Sequence, residues 1–190
     1  EVIEKMLNDF QKEKPVTIRC CLNRGTPEEL KERLEAEGVT VAPHPYLPYA
    51  FQISGYDHLS ELAAFQEGLF TVQDISSMLV AEIASPKAGA QVIDVCAAPG
   101  GKALHVAEKL LLADKKRLHE DMDGNADGNA GGRADGHVEA RDLTEAKVEL
   151  IRENIERTGL TNISAVCRDA SVPDPESAGS ADLVIADLLC

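Results

Sequence analysis

The 190-residue sequence contains no tryptophan and no long apolar run. No stretch approaches the roughly 20 consecutive apolar residues that a membrane-spanning helix requires. The first residues, Glu1–Lys5, lack the basic stretch and apolar core of a secretion signal. We therefore expect neither a membrane protein nor a secreted precursor.

Cysteine pairs and an excess of positive charge are also missing. The five cysteines are odd in number, and none forms the Cys-x-x-Cys pair typical of zinc sites and redox motifs. The sequence therefore predicts a reducing, cytoplasmic setting and no metal site. The formal net charge of −14 argues against the bulk electrostatics of a nucleic-acid-binding protein.

Residues 1–68 predict a small α+β unit. Apolar residues at helical spacing in Glu1–Gln11 predict a helix, and this pattern begins without a capping residue, as expected of a chain cut from a longer one. Thr26 and Pro27 predict the start of a second helix, which ends at Gly38. Strands are predicted at Val16–Leu22, Val39–Val41 and Tyr49–Ile53, and a short helix at Leu59–Phe65.

Residues 69–190 alternate between strand and helix patterns after a first strand and helix. This alternation predicts an α/β fold with a parallel sheet, in which ligands bind beyond the carboxyl ends of the strands. The predicted elements are a connecting strand Gly68–Val72, helix Asp74–Ala84, strand Gln91–Val95, helix Lys102–Leu112, strand Gly136–Ala140, helix Thr144–Thr158, strand Ile163–Cys167 and strand Ala181–Ala186.

Residues 113–135 interrupt the alternation. Their repeated Gly, Asn, Asp and Ala residues have no apolar periodicity and predict a flexible insertion. Asp121–Asn125 partly matches a calcium-binding loop, but that motif needs Gly at its sixth position and Glu at its twelfth. Ala126 and Gly132 stand there, which argues against calcium.

The segment Asp94–Lys102 lies between a predicted strand and a predicted helix. Its small residues and paired glycines let a ligand approach the backbone and the N–H groups of a helix N-terminus. A P-loop is excluded because Cys96 and Ala103 stand where that motif has Gly and Ser or Thr, and the dinucleotide fingerprint is absent as well. A plain tight turn remains the alternative.

Acids follow the later strands of the predicted sheet. Asp142, Asp169 and Asp187 each stand at a strand end, and an acid after the second strand can accept both hydroxyls of a ribose. For Asp142 the alternative is a helix N-cap, and for Asp169 and Asp187 a turn-forming role.

Three motifs together resemble a known family. Asp94-Val-Cys-Ala-Ala-Pro-Gly-Gly-Lys102, preceded by Thr71–Ser77 and followed by Asp187-Leu-Leu-Cys190, is similar to the bacterial Sun/Fmu family of 16S ribosomal RNA cytosine-C5 methyltransferases, relatives of the eukaryotic Nop2/NSUN enzymes. The resemblance covers nearly the whole chain except the insertion. It implies a Rossmann-like fold that uses S-adenosylmethionine.

The resemblance also implies roles for individual residues. Asp142 would hold the ribose hydroxyls and Asp169 the adenine, while Asp187 would lie near the methyl group and the target base. The loop that would hold the methionine part of the cofactor consists of Cys96, Ala97, Ala98, Pro99, Gly100, Gly101 and Lys102.

Cytosine C5 is a poor nucleophile, so such enzymes add a cysteine thiolate to C6 before the methyl transfer. The family uses two cysteines, and Cys190 matches the one that assists product release. The nucleophilic cysteine has no counterpart among the 190 residues, so we expect the fragment alone to be inactive. Cys20, Cys21 and Cys167 are instead expected to be buried structural thiols. Leu189 replaces the family's proline beside Cys190.

The implied partner is RNA, most simply ribosomal RNA. Arg19, Asn23 and Arg24 lie near a strand end of the N-terminal unit, which resembles the family's small RNA-recognition module; a solvated strand is the alternative. A methyltransferase for transfer RNA or another RNA, and a catalytically inactive RNA-binding or assembly protein, also remain open. The missing dinucleotide fingerprint argues against a dehydrogenase.

Overall fold

The computed structural model describes residues 15–122 and 135–188. The chain forms two compact units, and the boundary between them along the sequence lies between Asp74 and Ile75. The predicted helix at Glu1–Gln11 and the predicted roles of Leu189 and Cys190 lie outside the described residues.

The first unit contains an antiparallel four-stranded sheet in the order Thr40–Pro43 (β2), Ala50–Ser54 (β3), Val16–Cys20 (β1) and Phe70–Val72 (β4). The N-terminus of α1 has the predicted cap: Thr26 Oγ1 accepts from Glu29 N, and the Glu29 carboxylate accepts from Thr26 N. Its elements are β1 (Val16–Cys20), α1 (Pro27–Ala36), β2 (Thr40–Pro43), β3 (Ala50–Ser54), a 3₁₀ turn (Leu59–Glu61), α2 (Ala63–Gln66) and β4 (Phe70–Val72).

The structure draws the boundary between the units later than the predicted position at residue 68. Phe70–Val72 pairs with Ile18–Cys20 of β1, and Phe70 is fully buried in the core of the first unit. The predicted connecting strand is therefore the edge strand of the first sheet. Its sequence carried no sign of which sheet it would join.

The second unit contains a parallel four-stranded sheet in the order β7-β6-β5-β8, which confirms the predicted α/β, Rossmann-like fold. α5 ends where predicted, at Gly159 with its left-handed backbone (φ 67°). The elements are α3 (Ile75–Ala84), β5 (Gln91–Asp94), α4 (Gly101–Met122), β6 (His137–Asp142), α5 (Glu145–Thr158), β7 (Ile163–Cys167), a 3₁₀ turn (Pro175–Ser177) and β8 (Leu183–Ile185).

The two faces of the parallel sheet differ in chemistry. One face supplies apolar side chains to the core beneath α4 and α5; the buried strand residues are Val92, Val138, Ala140, Ile163 and Ile185. Because successive strand residues point to opposite faces, the other face carries five polar residues, Gln91, His137, Glu139, Arg141 and Ser164, and three apolar ones, Ile93, Val166 and Val184. This second, largely polar face borders a cavity of about 440 Å³.

The prediction that the flexible insertion begins at residue 113 is wrong. α4 continues from Gly101 to Met122, and only residues 123–134 of the insertion lie outside the described part of the chain. Asp114 explains the extension, because its carboxylate is buried and accepts from the backbone N–H of Gly89 and of Gly136, both at 2.8 Å. The helix therefore anchors the starts of β5 and β6 beyond the apolar stretch from which its end was predicted.

No helix within the described ranges combines the length and the apolar character needed to cross a bilayer.

Candidate cofactor-binding site

The loop Val95–Gly100 joins β5 to α4 at the carboxyl edge of the parallel sheet. It is fastened to the end of β6: Ala97 N donates to Arg141 O at 2.8 Å, and Ala98 N donates to Asp142 Oδ2 at 3.0 Å. Within the loop, Gly100 N donates to Ala97 O at 2.6 Å. These bonds hold the loop across the edge of two neighbouring strands.

Gly100 stands at a position where a side chain would strain the backbone and crowd the core. Its φ is +110°, and a Cβ built on it would lie 3.2 Å from Leu104 Cδ1 and 3.7 Å from Ile151 Cγ2. Both contacts belong to the apolar core beneath the sheet. Glycine therefore serves the tight turn itself, which was the plain alternative in the sequence, and also places the loop at the sheet edge.

Asp142 ends β6 and holds the loop from the side. Its side chain is only 4% exposed. Oδ1 accepts from Leu143 N at 2.8 Å and lies 3.2 Å from Lys147 Nζ, while Oδ2 accepts from Ala98 N. Burial alone would raise the pKa of Asp142, but the bonds from Ala98, Leu143 and Lys147 outweigh it and lower the pKa below its usual value. Asp142 is thus an ionised carboxylate at neutral pH.

The alternative prediction that Asp142 caps the following helix is wrong. Thr144 is the N-cap of α5, and its Oγ1 accepts from Lys147 N. Asp142 still belongs to β6, and its carboxylate turns towards the loop instead of the helix. The sequence does contain a capping residue for α5, but that residue is Thr144, two positions after Asp142.

Asp94 is a site residue that sequence reasoning did not single out. This last residue of β5 is 1% exposed, and its Oδ1 accepts from Cys96 N at 3.3 Å. Burial raises the pKa of Asp94 to about 6; the Cys96 N–H and Lys102 oppose the rise, whereas Asp187 and Asp142 add to it. Its place directly before a glycine-rich loop is the signal that could have identified it.

Lys102 and Asp187 form an ion pair at this edge. Lys102 Nζ lies 2.6 Å from Asp187 Oδ2, and the Asp187 side chain is 62% exposed. The pair joins the start of α4 to the segment after β8, which lie at the same edge because β5 and β8 are parallel neighbours. Three of the predicted site regions, namely the loop, Asp142 and Asp187, therefore meet at one place.

Cys96 lies in the same group of acids. Burial raises the pKa of its thiol, and the carboxylates of Asp142 and Asp94 add to the rise. A protonated thiol is a weak nucleophile. This environment fits a residue of the loop better than an attacking group.

Asp169 lies after β7 and is more remote from this group. It is exposed, and its Oδ1 accepts from Ser171 N at 2.8 Å and from Ser171 Oγ at 2.7 Å, which lowers its pKa. A cavity of about 330 Å³ opens beside it, between Val95 and the segment Arg168–Asp174. A volume of this size lies at the lower end of the range of about 300–1,000 Å³ found for small-molecule pockets.

Asn154 is a second residue that sequence reasoning missed. This residue of α5 donates through Nδ2 to Pro99 O at 3.1 Å and so touches the outer side of the loop. Arg157 Nη2 donates to Asn154 Oδ1 at 2.9 Å and orients the amide. A polar residue in the middle of an amphipathic helix gives no sign of such a contact.

Two expectations about other residues are wrong. Cys167, predicted as a buried thiol, is exposed because it ends β7 at the edge of the sheet. Arg19, predicted to lie with Asn23 and Arg24 on an RNA-recognition surface, is fully buried, and its Nε donates to Gln73 Oε1 at 2.8 Å. Cys20 and Cys21 are buried, as expected.

Sequence comparisons identify ribosomal RNA methyltransferases as relatives. The chain is 34% identical over 154 residues to the probable ribosomal RNA small subunit methyltransferase B of Bacillus subtilis, which covers 81% of this chain and 29% of that protein. It is 28% identical over 177 residues to the Vibrio cholerae enzyme of the same name, covering 93% of this chain and 35% of that protein. The chain thus spans about a third of these relatives' length. No protein-family model matches it.

Solved structures agree on the fold. The protein PH0851 superposes with a TM-score of 0.77 at 26% identity, over 95% of this chain and 36% of that one. NSun6 from Pyrococcus horikoshii, solved with SFG, superposes with a TM-score of 0.72 at 20% identity, over 98% of this chain and 66% of that one. The sequence relatives confirm the resemblance to the Sun/Fmu ribosomal RNA methyltransferases that the motifs indicated, and NSun6 agrees in fold.

Proposed function

We propose that this chain, a relative of the ribosomal RNA small subunit methyltransferases B, is the cofactor-binding part of an S-adenosylmethionine-dependent RNA methyltransferase that acts on C5 of a cytosine in 16S ribosomal RNA. The observation that carries the proposal is the loop 95–100, bonded to Asp142 at the carboxyl edge of a parallel sheet and grouped with Asp94 and Asp187.

The residues at the edge fit the chemistry of the cofactor. S-adenosylmethionine carries an ammonium and a sulfonium cation, and the carboxylates of Asp94, Asp142 and Asp187 form an acidic group beside the loop. When bound, the cofactor supplies an electrophilic methyl group. The free N–H groups at the start of a helix such as α4 suit its carboxylate.

Asp142 keeps some capacity for a ribose. A carboxylate offers about four lone-pair sites. Leu143 and Lys147 use those of Oδ1, and Ala98 uses one of Oδ2. A first ribose hydroxyl can therefore bond to Oδ2, whereas a second needs Lys147 to swing away. The Lys147 side chain is 52% exposed and is free to do so.

Asp169 and the cavity beside it suit an adenine. The cavity is lined by Val95 and the Asp169–Pro173 turn, together with Arg141, Arg168 and Asp174, so it offers apolar and polar groups to one flat heterocycle. We assign the adenine to this cavity and the methionine part to the loop from Cys96 to Lys102.

We assign the target base to the position beside Asp187 and Lys102. The base must leave its stack to reach an enzyme's reacting atoms. The exposed Asp187 carboxylate, held by Lys102, is placed to accept a hydrogen bond from such a base.

The proposed chemistry adds a cysteine thiolate to C6, which makes C5 nucleophilic; after methyl transfer a base removes the C5 proton and the thiolate leaves. We assign release of the product to Cys190, by its motif. None of the described cysteines matches the family's nucleophile, and the raised pKa of Cys96 disfavours it for that role. We therefore propose that these 190 residues alone carry out no methyl transfer.

Calorimetric titration of the purified chain with S-adenosylhomocysteine tests the cofactor site. We expect saturable binding that Asp169→Asn weakens, and that Glu153→Gln, a matched change on the exposed face of α5, leaves unchanged. Asp142→Ala would report on the site less cleanly, because it also removes the bond that holds the loop. A folded chain that binds no nucleoside would contradict the proposal.

An RNA assay tests the substrate. The chain is incubated with labelled S-adenosylmethionine and with 16S ribosomal RNA or transfer RNA, and 5-methylcytosine is measured by mass spectrometry. We expect no product from the chain, and product from a matching full-length relative with 16S ribosomal RNA. Product only with transfer RNA would favour the alternative substrate, and nucleoside-independent RNA binding would favour an inactive binding protein.

A further inference from the structure

The connection between β7 and β8, residues 168–182, passes beside the polar face of the parallel sheet. All of its residues are described, and none of its side chains is buried. Its half-buried residues are Arg168, Asp174, Ser177 and Ala181. An apolar anchor of the kind that usually holds a crossover against a sheet is therefore missing from this segment.

The side chain of Arg141 in β6 extends from the polar face of the sheet to this connection. Its side chain is 8% exposed, and Nη1 lies 3.1 Å from Asp174 Oδ2 while Nη2 donates to Ser177 Oγ at 2.7 Å. Nε donates to Glu139, two residues earlier on the same face of the strand. One guanidinium thus spans the sheet and two points of the connection.

Asp174 is the meeting point of these contacts. Its carboxylate also accepts from Arg168 and from the Ser177 hydroxyl. The three polar residues that are half-buried in the connection are the same three that take part in this network. The charges of the two arginines are balanced by Asp174 and Glu139, so the network does not offer a site for an additional anion.

The network also forms part of the cavity beside Asp169. Arg141, Arg168 and Asp174 line it together with the Asp169–Pro173 turn. Ser171 and Val172 bond to Asp169 within the turn, and Arg141 attaches the far end of the turn, at Asp174, to β6. A residue of a different strand thus contacts the segment that carries Asp169.

We propose that Arg141 is a positioning residue, which holds the 168–182 connection on the polar face of the sheet and thereby shapes the cavity that takes the adenine of the cofactor. The ligand in this inference rests on the proposed function, whereas the ordering of the connection does not. Arginine suits the role because its planar fork donates in three directions, and a lysine ammonium at the same position cannot reach all three partners.

Hydrogen exchange measured by mass spectrometry tests the ordering directly. Asp174→Asn is the first variant, because it changes the connection and leaves the strand intact; Arg141→Met and Arg141→Lys follow. Arg152→Met is the matched control, since Arg152 pairs with Glu145 and Glu149 on the exposed surface of α5. We expect about tenfold faster exchange in residues 168–182 for Asp174→Asn and Arg141→Met, with unchanged exchange in β5 and β6.

Titration of the same variants with adenosine and S-adenosylhomocysteine tests the consequence. We expect both ligands to bind about tenfold more weakly to Asp174→Asn and Arg141→Met, partial recovery in Arg141→Lys, and no change in Arg152→Met. Unchanged exchange in the connection, or faster exchange throughout the unit in Asp174→Asn, would overturn the positioning role. A native chain that binds neither ligand would contradict the proposed function, and the exchange experiment would still decide the role of Arg141.

Discussion

Two segments at the same edge of the parallel sheet, the loop 95–100 and the connection 168–182, are held by different forces. The loop is tied by backbone hydrogen bonds to β6 and packs Gly100 against Leu104 and Ile151 of the core. The connection has no buried side chain; its ends are bonded to the sheet at Arg168 and Asp182, and between them it is held by charged and hydroxyl groups around Asp174. The loop is thus held mainly by backbone bonds and core packing, with one bond from Ala98 N to the Asp142 carboxylate. The middle of the connection depends instead on charge pairing with one strand residue, Arg141.

The two parts of the proposed cofactor would therefore bind to segments that differ in rigidity. The methionine part would meet a preformed loop, and the adenine a turn that its network must order. Substitutions at glycines in the two segments give the strongest test of the comparison.

Gly100→Ala should have the largest effect. Its φ of +110° is strained for alanine, and the new Cβ would lie 3.2 Å from Leu104 Cδ1, so we expect a loss of about 3 kcal/mol in the free energy of unfolding. Gly179→Ala in the connection is the matched control: φ is +73° and no atom lies within 4 Å of the new Cβ, so we expect about 1 kcal/mol. Urea unfolding followed by circular dichroism measures both. Equal losses would show that the loop is no better packed than the connection.

Asp94→Asn should raise stability at alkaline pH. The pKa of Asp94 is raised from 3.8 to about 6, so the folded chain binds the proton more tightly than the unfolded chain. The ionised carboxylate therefore lowers stability above pH 6, and this loss fades as the pH falls from about 6 towards 3.8. Asparagine keeps an oxygen for Cys96 N–H, so we expect a gain on the order of 2 kcal/mol at pH 8.

The gain from Asp94→Asn should vanish near pH 3.5, as measured by urea unfolding across this range. Asp169→Asn is the control of opposite sign. Ser171 lowers the pKa of Asp169 below 3.8, so the ionised Asp169 carboxylate stabilises the folded chain above pH 3.8. A gain in stability from Asp94→Asn that is independent of pH would show that the Asp94 carboxyl group does not have a pKa raised by burial.

Lys147→Ala should strengthen nucleoside binding. Lys147 competes with a ribose hydroxyl for Asp142 Oδ1, and its half-exposed ion pair is weak. Removing it should tighten adenosine binding about threefold, as measured by calorimetry. Lys116→Ala, on the exposed side of α4, serves as the control. Weaker binding to Lys147→Ala would mean that the ammonium group itself contacts the ligand.

Acid should loosen the connection before the loop. Bonding to Ser177, and the nearby Arg168 and Arg141, lower the pKa of Asp174, so its contribution is present above pH 3.8 and is lost as the pH falls through the lowered value. Hydrogen exchange should therefore show faster opening of residues 168–182 in strong acid. The loop 95–100 should stay protected, because its backbone bonds and the packing of Gly100 remain when Asp142 is protonated. Simultaneous opening of both segments would remove the distinction between them.

Local patterns in the sequence predicted much of this architecture. Alternating strand and helix patterns indicated the parallel sheet, Gly159 marked the end of α5, and the Cys96–Lys102 string located the loop. The boundary between the units, the length of α4 and the cap of α5 were misjudged. Each of those depends on a partner far along the chain or on which of two nearby polar residues turns towards the helix.

The sequence by itself determined the order of the elements and the edge of the sheet at which the acids gather, because strand and helix periods and glycine conformations are local properties. Only the tertiary structure decided that Asp142 faces the loop, that Asp94 is buried, and that Arg141 holds Asp174. Those contacts join residues on different strands, and their energies arise from burial and charge pairing that exist only after the sheet has formed.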